Sequence, residues 1–284
     1  RQMCIRDRYL PGKDILQKSV IDAMEYSLAA GGKRVRPILT LAFCEACGGY
    51  VENALPFACA VEMVHTYSLI HDDLPCMDND FLRRGRPANH IANGEAMALL
   101  AGDALLTRAF EVMLCDETIK LVGAEAAAMA AGCLARSIGV LGMIGGQVID
   151  LESEGKNLTQ VALDKMHSLK TGALITAAAK IGCIAAQANK NEILAAQSYA
   201  NSIGLAFQIM DDILDVTSTS DELGKNVGSD LAAQKSTYVS CMGIEKSKRT
   251  VLQLTENAIK SLKVFGDKKE FLQIFAQDLS KRKR

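Results

Sequence analysis

The chain has 284 residues, of which 49% are hydrophobic, and its 32 basic residues nearly balance its 33 acidic ones. A net charge of −1 creates no bulk field of the kind that attracts nucleic acid or an anionic membrane, so neither partner is expected. The composition leans to Ala and Leu, contains no Trp and only five Pro, and therefore predicts an all-α protein.

No repeat or Pro/Ser-rich linker divides the sequence, and we predict a single domain over residues 9–284. Residues 1–8 match no pattern around them, and we interpret them as non-native. Helical periodicity predicts helices at residues 15–30, 38–46, 55–71, 94–114, 120–138, 143–152, 159–188, 193–217, 235–262 and 268–281. The loops 78–93 and 217–232 are long and charged, as binding loops often are.

The nine Cys residues are scattered, and their closest pair, Cys44 and Cys47, has no His or second Cys pair nearby. We therefore expect reduced thiols and a cytoplasmic protein. The most apolar stretch, residues 126–146, contains Arg136, which is costly at the centre of a bilayer. This stretch is predicted to be a buried helix, and no transmembrane segment is expected.

Two clusters of Asp residues each follow an apolar helix. The first contains Asp72, Asp73 and Asp78, and His65 lies two turns before Asp72 on the same helical face. Adjacent carboxylates repel each other, and burying one without a partner is very unfavourable, so a cation is the simplest compensation. Oxygen ligands without His or thiolate suit Mg²⁺, which also binds substrate phosphates.

The second cluster forms a polar stripe at helical positions i, i+3, i+4 and i+7, occupied by Gln208, Asp211, Asp212 and Asp215. Because the two clusters lie far apart in sequence, they predict two helices that face each other across a diphosphate. A single Asp pair is more often a solvated surface feature or a helix cap. Two such pairs, each followed by a basic loop, make that structural alternative much weaker.

Arg and Lys are the side chains that bind phosphate, and they recur beside both clusters. The candidates are Lys33 and Arg36 in the segment 31–37, Arg83, Arg84, Lys170, Lys225 and Lys235. Each has a structural alternative, such as a basic helix terminus, a snorkelling lysine or, for His65, a core histidine. The motif Gly-x-x-x-x-Gly-Lys-Ser/Thr is absent, which excludes a Walker loop. The joint occurrence of these basic residues and the Asp clusters favours a diphosphate site.

From residue 9 onward the chain resembles the trans-isoprenyl diphosphate synthases, in the farnesyl and geranylgeranyl diphosphate branch. The resemblance rests on the segments 31–37, 72–85, 170–172, 208–215 and 224–235. It implies the isoprenoid synthase fold, an antiparallel helical bundle around a deep central cavity, and a homodimer. It also implies Mg²⁺ as cofactor, with roughly three ions per active site, and two substrates, isopentenyl diphosphate and an allylic diphosphate.

The resemblance also implies roles for individual residues. The metal-binding residues would be Asp72, Asp73, Asp78, Asp211, Asp212 and Asp215. The residues that contact the allylic diphosphate would be Arg83, Lys170, Lys225 and Lys235. The isopentenyl diphosphate pocket would contain Gly32, Lys33, Arg36, His65 and Arg84. The residues with catalytic roles would be Lys170, Thr171, Gln208 and Lys225, with Thr171 and Gln208 beside the reacting carbons and Gln147 lining the cavity. Phe81 departs from the pattern, because an acidic residue is common there.

Tyr67 lies five residues before Asp72, about 7.5 Å deeper along the helix. In the resembled family a bulky aromatic residue there accompanies a farnesyl product, so we predict farnesyl diphosphate made from dimethylallyl and geranyl diphosphates. The alternatives are that Tyr67 only packs in the core, and that the chain is a geranylgeranyl diphosphate synthase, which residues 74–77 also resemble. A terpene cyclase, a non-catalytic relative and a plain helical scaffold are disfavoured, because both Asp clusters and the basic residues are all present.

Overall fold

The computed structural model describes residues 9–217 and 236–282. The described residues are almost entirely helical, which confirms the predicted all-α class. Residues 1–8, Lys225, Lys235 and the predicted start of the helix 235–262 lie outside the described residues.

The helices follow one another along the chain with mostly short connections. They are α1 (Lys18–Leu28), α2 (Val35–Ala46), α3 (Val51–Asp72), α4 (Asn89–Asn93), α5 (Glu95–Leu114), α6 (Asp116–Val122), α7 (Ala124–Ile138), α8 (Met143–Glu152), α9 (Gln160–His167), α10 (Ala173–Ala185), α11 (Lys190–Thr217), α12 (Tyr238–Met242), α13 (Ile244–Ser261) and α14 (Glu270–Lys281). A π-helical turn, Ser168–Gly172, joins α9 to α10, and a 3₁₀ segment, Leu262–Lys269, precedes α14. Between α3 and α4, β1 (Leu82–Arg83) and β2 (Arg86–Pro87) pair antiparallel.

Three predicted helices are divided in the structure. The predicted helix 120–138 breaks at Gly123, and the predicted helix 235–262 breaks at Gly243, where φ is 87° and 78° respectively. Only glycine adopts such angles readily, because it lacks a Cβ atom. The predicted helix 159–188 changes its hydrogen-bonding pattern at Ser168–Gly172, where the periodicity predicted a continuous α-helix.

Helix α10 occupies the centre of the fold, packed against α2, α3, α7 and α11. Its side chains are small and apolar, and most are fully buried. A Cβ atom at Gly182 would lie 2.2 Å from the Thr40 carbonyl oxygen, so the close approach of α2 to α10 requires glycine. Since α10 follows directly after Lys170 and Thr171, this packing holds both residues beside the helices that carry the Asp clusters.

Two stretches, Ala124–Glu152 and Gln160–Ala185, are long and apolar enough by composition to cross a membrane. The most apolar window of the second is 61% buried inside the protein, as in the core helix of a globular domain, and that of the first is 44% buried. Such helices are weak indications of a membrane span, and they do not contradict the expectation that none is present.

Candidate active site

Asp72 ends α3 and is half-buried. The pKa of its carboxyl group is raised to about 6, first by burial and then by the neighbouring Asp78 and Asp73, while the charges of Lys170 and Arg83 oppose the rise. The backbone N–H of Asp78 donates to the carbonyl oxygen of Asp72 at 2.8 Å, which folds the loop back onto the helix end. The structure therefore brings Asp78 and the distant Lys170 within electrostatic range of Asp72.

Asp73 is paired with an arginine. Its side chain is 2% exposed, and Arg83 Nε donates to Oδ1 at 2.9 Å and to Oδ2 at 3.2 Å, while Nη2 contacts Oδ1 as well. Arg83 also reaches Asp80 at 2.8 Å. Both oxygens of Asp73 accept from Arg83, so a metal bound to Asp73 would share this carboxylate with the arginine. The predicted metal role of Asp73 and the predicted diphosphate role of Arg83 stay predictions.

The second cluster on α11 contains two buried carboxylates and one that is more open. Asp212 is 2% exposed and accepts from Gln208 Nε2 at 3.1 Å and from the Tyr238 backbone N–H at 2.7 Å. Asp215 is 3% exposed. The Asp211 side chain is 40% exposed and contacts the guanidinium of Arg282, which follows α14 near the end of the chain. A cation therefore already lies against the most open carboxylate of this cluster.

Lys170 lies in the π-helical turn and forms an ion pair with a carboxylate of α8. Its Nζ is 2.5 Å from Asp150 Oδ2, and both side chains are largely shielded from solvent. A Cβ atom at Gly146 would lie 2.1 Å from the backbone nitrogen of Lys170, so glycine is needed where α8 packs against this turn. Isolated π-helical turns often occur at functional sites, and this one carries two of the predicted catalytic residues.

Thr171 and Gln208 meet across the site. Thr171 Oγ1 donates to Gln208 Oε1 at 3.4 Å, and the amide of Gln208 donates in turn to Asp212. These groups border a cavity of about 120 Å³, whose lining residues are Asp150, Met166, His167, Lys170, Thr171, Gln208, Asp212, Ser236 and Thr237. Burial lowers the pKa of His167 to about 4, so its imidazole is neutral at pH 7.

Arg36 and His65 form a second polar group. Arg36 Nη1 lies 3.3 Å from His65 Nε2. Burial, followed by the charges of Arg36 and Arg84, lowers the pKa of His65 well below its ordinary value. An arginine can only donate, so the neutral His65 accepts at Nε2 and carries its proton on Nδ1. Burial lowers the pKa of Arg36 to about 10, which leaves its guanidinium charged at pH 7.

Lys33 and Arg282 both lie over the aromatic ring of Phe207. Lys33 Nζ is 5.8 Å from the ring centroid of Phe207, and the guanidinium carbon of Arg282 is 4.3 Å from it. Phe207 directly precedes Gln208, so this contact joins the segment 31–37 to the second Asp cluster. Burial, together with the charge of Arg282, lowers the pKa of Lys33. Lys33 thus lies closer to the second cluster than the sequence indicated.

Two further predicted residues are buried or partly buried. Tyr67 is 6% exposed, and its ring packs edge-on against His71 with 5.6 Å between centroids. Its pKa rises to about 12 because of burial and the nearby Asp72. On α8, the Gln147 side-chain nitrogen Nε2 is buried without a hydrogen-bond partner among the described residues, so its cavity-lining role stays a prediction.

The described residues contain no group of three His, Cys, Asp or Glu side chains that already converges on a metal position. The donor chemistry nevertheless fits Mg²⁺: Asp72 has a raised pKa beside two other carboxylates, and Asp211 attracts the cation Arg282. Mg²⁺ commonly uses one or two protein carboxylates and completes its shell with water and substrate phosphate. Asp72, Asp78 and Asp211 are the residues best suited to hold it.

Sequence reasoning missed four residues of this region: Glu62, Arg34, Asp150 and Arg282. Only Glu62 had a usable signal, because it is a lone carboxylate in the apolar middle of α3. Asp150 and Lys170 lie on different elements, and Arg282 is 71 positions from Asp211 (282 − 211). No periodicity within one element reveals such pairs.

Comparison with known proteins identifies the family. The polyprenyl synthetase family model matches residues 17–277. The geranylgeranyl diphosphate synthase of Cyanophora paradoxa is 49% identical over 265 residues, covering 90% of this chain and 88% of that protein. The heterodimeric geranylgeranyl pyrophosphate synthase large subunit 1, chloroplastic, of Arabidopsis thaliana is 50% identical, covering 87% of this chain and 68% of that protein. An FPP/GFPP synthase structure from Zymomonas mobilis has a TM-score of 0.87 at 35% identity, covering 98% of this chain and 94% of that chain.

These matches span most of the chain and confirm the resemblance stated from its motifs. The structural match also confirms the isoprenoid synthase fold. The chain belongs to the polyprenyl synthetase family and is a prenyltransferase.

Proposed function

We propose that this prenyltransferase joins isopentenyl diphosphate to allylic diphosphates and releases geranylgeranyl diphosphate. The product assignment is supported by the names of the curated relatives from Cyanophora and Arabidopsis, which are 49% and 50% identical to this chain. They favour the geranylgeranyl alternative over the farnesyl prediction.

The observation that carries the two-substrate reaction is that the cationic side chains fall into two groups. Lys170 and Arg83 form the first group, since the charges of both act on Asp72. Arg36 and Arg84 form the second group, since the charges of both act on His65, which Arg36 also contacts. Two separate groups of phosphate-binding side chains fit two diphosphates better than one.

Each group has a distinct task in the proposed reaction. Lys170 and Arg83 bind and orient the allylic diphosphate, while Arg36, Lys33 and Arg84 bind isopentenyl diphosphate. Mg²⁺, held by Asp72, Asp78 and Asp211, would supply a Lewis acid that stabilises charge on the departing diphosphate.

Thr171 and Gln208 border the 120 Å³ cavity, where their dipoles fix the position of the allylic carbons. The surrounding apolar helices exclude water, which protects a carbocation from capture. His65 and His167 are both neutral at pH 7, so neither adds a positive charge beside a developing cation.

A farnesyl product is the second candidate, and Tyr67 is the observation that favours it. The ring is buried below the first Asp cluster and is backed by His71, whose Nε2 lies 3.0 Å from the Leu99 carbonyl oxygen of α5. A Cβ atom at Gly102 would lie 2.0 Å from His71 Nε2, so α5 closes tightly behind this pair. Such an aromatic floor would stop a growing prenyl chain early.

Product analysis tests the proposal directly. The purified chain is incubated with Mg²⁺, dimethylallyl diphosphate and labelled isopentenyl diphosphate, and the dephosphorylated products are separated by chromatography. A mainly twenty-carbon alcohol is expected, and a mainly fifteen-carbon alcohol would favour the farnesyl candidate. A cyclic hydrocarbon would indicate a terpene cyclase, and the absence of labelled product would contradict the proposed function.

We also propose that the protein acts as a cytoplasmic homodimer. Support for a second copy comes from large apolar side chains exposed on the neighbouring helices α5, α7 and α8 and their connection, including Leu99, Leu100, Met129, Val140, Leu141 and Ile144. Exposed apolar surface of this kind commonly marks an interface between proteins. Support for a reducing compartment comes from the described cysteines, which are thiols rather than disulfides, although Cys47 Sγ and Cys183 Sγ lie only 3.6 Å apart.

A further inference from the structure

Glu62 is a carboxylate in the apolar middle of α3. It is 1% exposed, and its chain neighbours Val61 and Met63 are completely buried. Glu62 Oε1 accepts from Arg34 Nη1 and lies 3.8 Å from Arg84 Nη2. The other oxygen, Oε2, is buried without a hydrogen-bond partner among the described residues. A buried carboxylate needs compensating charge, and here two arginines from two different loops supply it.

Arg34 is held by contacts of both its terminal nitrogens within the protein. Besides Glu62, its Nη2 donates to the carbonyl oxygens of Leu28 at 2.8 Å and Ala30 at 2.6 Å, which closes the end of α1. Its backbone is left-handed, with φ of 51°, and this turn starts α2. Arg34 is therefore a fixed structural group, whereas Lys33 and Arg36 on either side of it lead to Phe207 and His65.

Arg84 is held more loosely than Arg34. It occupies the two-residue turn between β1 and β2 with Gly85, and both residues have positive φ, 55° and 74°. Its Nη1 lies 3.5 Å from the Ala30 carbonyl oxygen, at the limit of a hydrogen bond. A Cβ atom at Gly32 would lie 2.8 Å from its guanidinium carbon, so Arg84 lies flat against the Gly32 backbone.

We propose that Glu62 is a positioning residue for the isopentenyl diphosphate pocket. Its carboxylate neutralises Arg34 and draws Arg84 against Gly32, so that Arg84 and Arg36 turn their remaining N–H groups toward one diphosphate. Without Glu62, the three arginines Arg34, Arg36 and Arg84 would repel one another at short range. With Glu62, Arg34 is compensated and the charges of Arg36 and Arg84 remain for the ligand. This inference rests on the proposed function of the site.

The matched control is Asp150, a second carboxylate that holds a single cation, Lys170, on the allylic side. Binding of isopentenyl diphosphate alone and of dimethylallyl diphosphate alone is measured by calorimetry in Mg²⁺ buffer. Glu62→Gln is expected to weaken isopentenyl diphosphate binding by at least about tenfold and to change dimethylallyl diphosphate binding by less than about twofold. Asp150→Asn is expected to show the reverse preference.

Arg34→Gln provides a second test, which also applies if Glu62→Gln does not fold. Without Arg34, Glu62 pairs fully with Arg84 and withdraws it from the ligand, so isopentenyl diphosphate binding is expected to weaken by at least about threefold. The double variant is expected to recover part of the loss seen in Glu62→Gln, because both charges of the pair are removed. A purely structural role predicts instead that each variant weakens the binding of both substrates equally.

Three results would overturn the inference: unchanged isopentenyl diphosphate binding, equal weakening of both substrates, or additive losses in the double variant. Failure of the proposed function is distinguishable from all three, because the wild-type protein would then form no prenyl product.

Discussion

The two Asp clusters have similar sequences but are anchored in different ways. In each cluster one carboxylate is 2% exposed and bonded by donors of the chain itself, and its neighbour is more open. The first cluster anchors Asp73 on the guanidinium of Arg83. The second anchors Asp212 on the amide of Gln208 and the backbone N–H of Tyr238. Adjacent Asp residues in one motif therefore differ in their environment. One is an anchor, held by donors of the protein, and the other is more open to a ligand.

The largest expected effect concerns the two open carboxylates. Asp72→Ala and Asp211→Ala should each lower kcat by about a thousandfold, because each removes a carboxylate that we propose would hold Mg²⁺. Steady-state kinetics check this, with Asp278→Ala on the exposed face of α14 as a control that keeps wild-type kcat. Strict Mg²⁺ dependence is expected as well, and full activity in excess chelator would rule out the metal assignment.

The two anchors should differ in their effect on stability. Asp73→Asn removes the buried partner of Arg83 and leaves it only the exposed Asp80, which should lower the free energy of unfolding by about 2–3 kcal/mol, since Arg83 is itself only partly buried. Asp212→Asn keeps one acceptor for Gln208 or for Tyr238, and should cost about 1–2 kcal/mol. Urea unfolding of both variants in chelator measures the difference. If Asp212→Asn is the more destabilised variant, the distinction between the anchors is wrong.

The raised pKa of Asp72 allows the difference between the anchored and the more open carboxylate to be tested by changing the pH. Its folded-state pKa of about 6 exceeds the ordinary value of 3.8, so the native protein holds this proton more tightly than the unfolded chain. The stabilising contribution is complete below about pH 4 and is lost as pH rises through 6. In metal-free protein, Asp72→Asn should therefore increase stability by about 1–3 kcal/mol at pH 7.

The pH test is made with urea titrations of both proteins at pH 4 and pH 7. At pH 4 the wild-type carboxyl is protonated, and the two proteins should have nearly equal stability. A stabilisation that is the same at both pH values would show that the amide, rather than loss of the charge, is responsible. A stabilised but inactive Asp72→Asn would also show that this carboxylate is retained for binding at the expense of stability.

Sequence periodicity predicted the helices that carry the site, because the apolar faces of α3 and α11 repeat clearly up to each Asp cluster. It did not predict the π-helical turn at Lys170, since the small apolar residues on both sides fit a continuous α-helix equally well. Periodicity also could not predict that Arg34 and Arg36 contact different residues. Two residues apart on one segment, they contact Glu62 and His65 respectively, and this depends on the left-handed backbone at Arg34.

Substitution of the aromatic residues that precede the clusters should have the smallest effect on turnover. Its expected effect is on the chain length of the product. Tyr67 lies five residues before Asp72, and Phe207 lies five residues before Asp212. Tyr67 packs against His71 and is buried, whereas the Phe207 ring is covered by the cations of Lys33 and Arg282. Of these two rings, we expect the one below the first cluster, Tyr67, to limit the length of a prenyl chain.

Tyr67→Ala should therefore lengthen the main product by at least one five-carbon unit, while total isopentenyl diphosphate incorporation changes by less than about tenfold. Tyr67→Phe keeps the ring and should leave the product unchanged. Phe207→Leu is the matched control: it should weaken isopentenyl diphosphate binding, through the lost contact with Lys33, without changing chain length. Reversed-phase chromatography of the dephosphorylated products measures all three variants. If Tyr67→Ala and wild type give the same product, or if Phe207→Leu lengthens it equally, the floor of the cavity lies elsewhere.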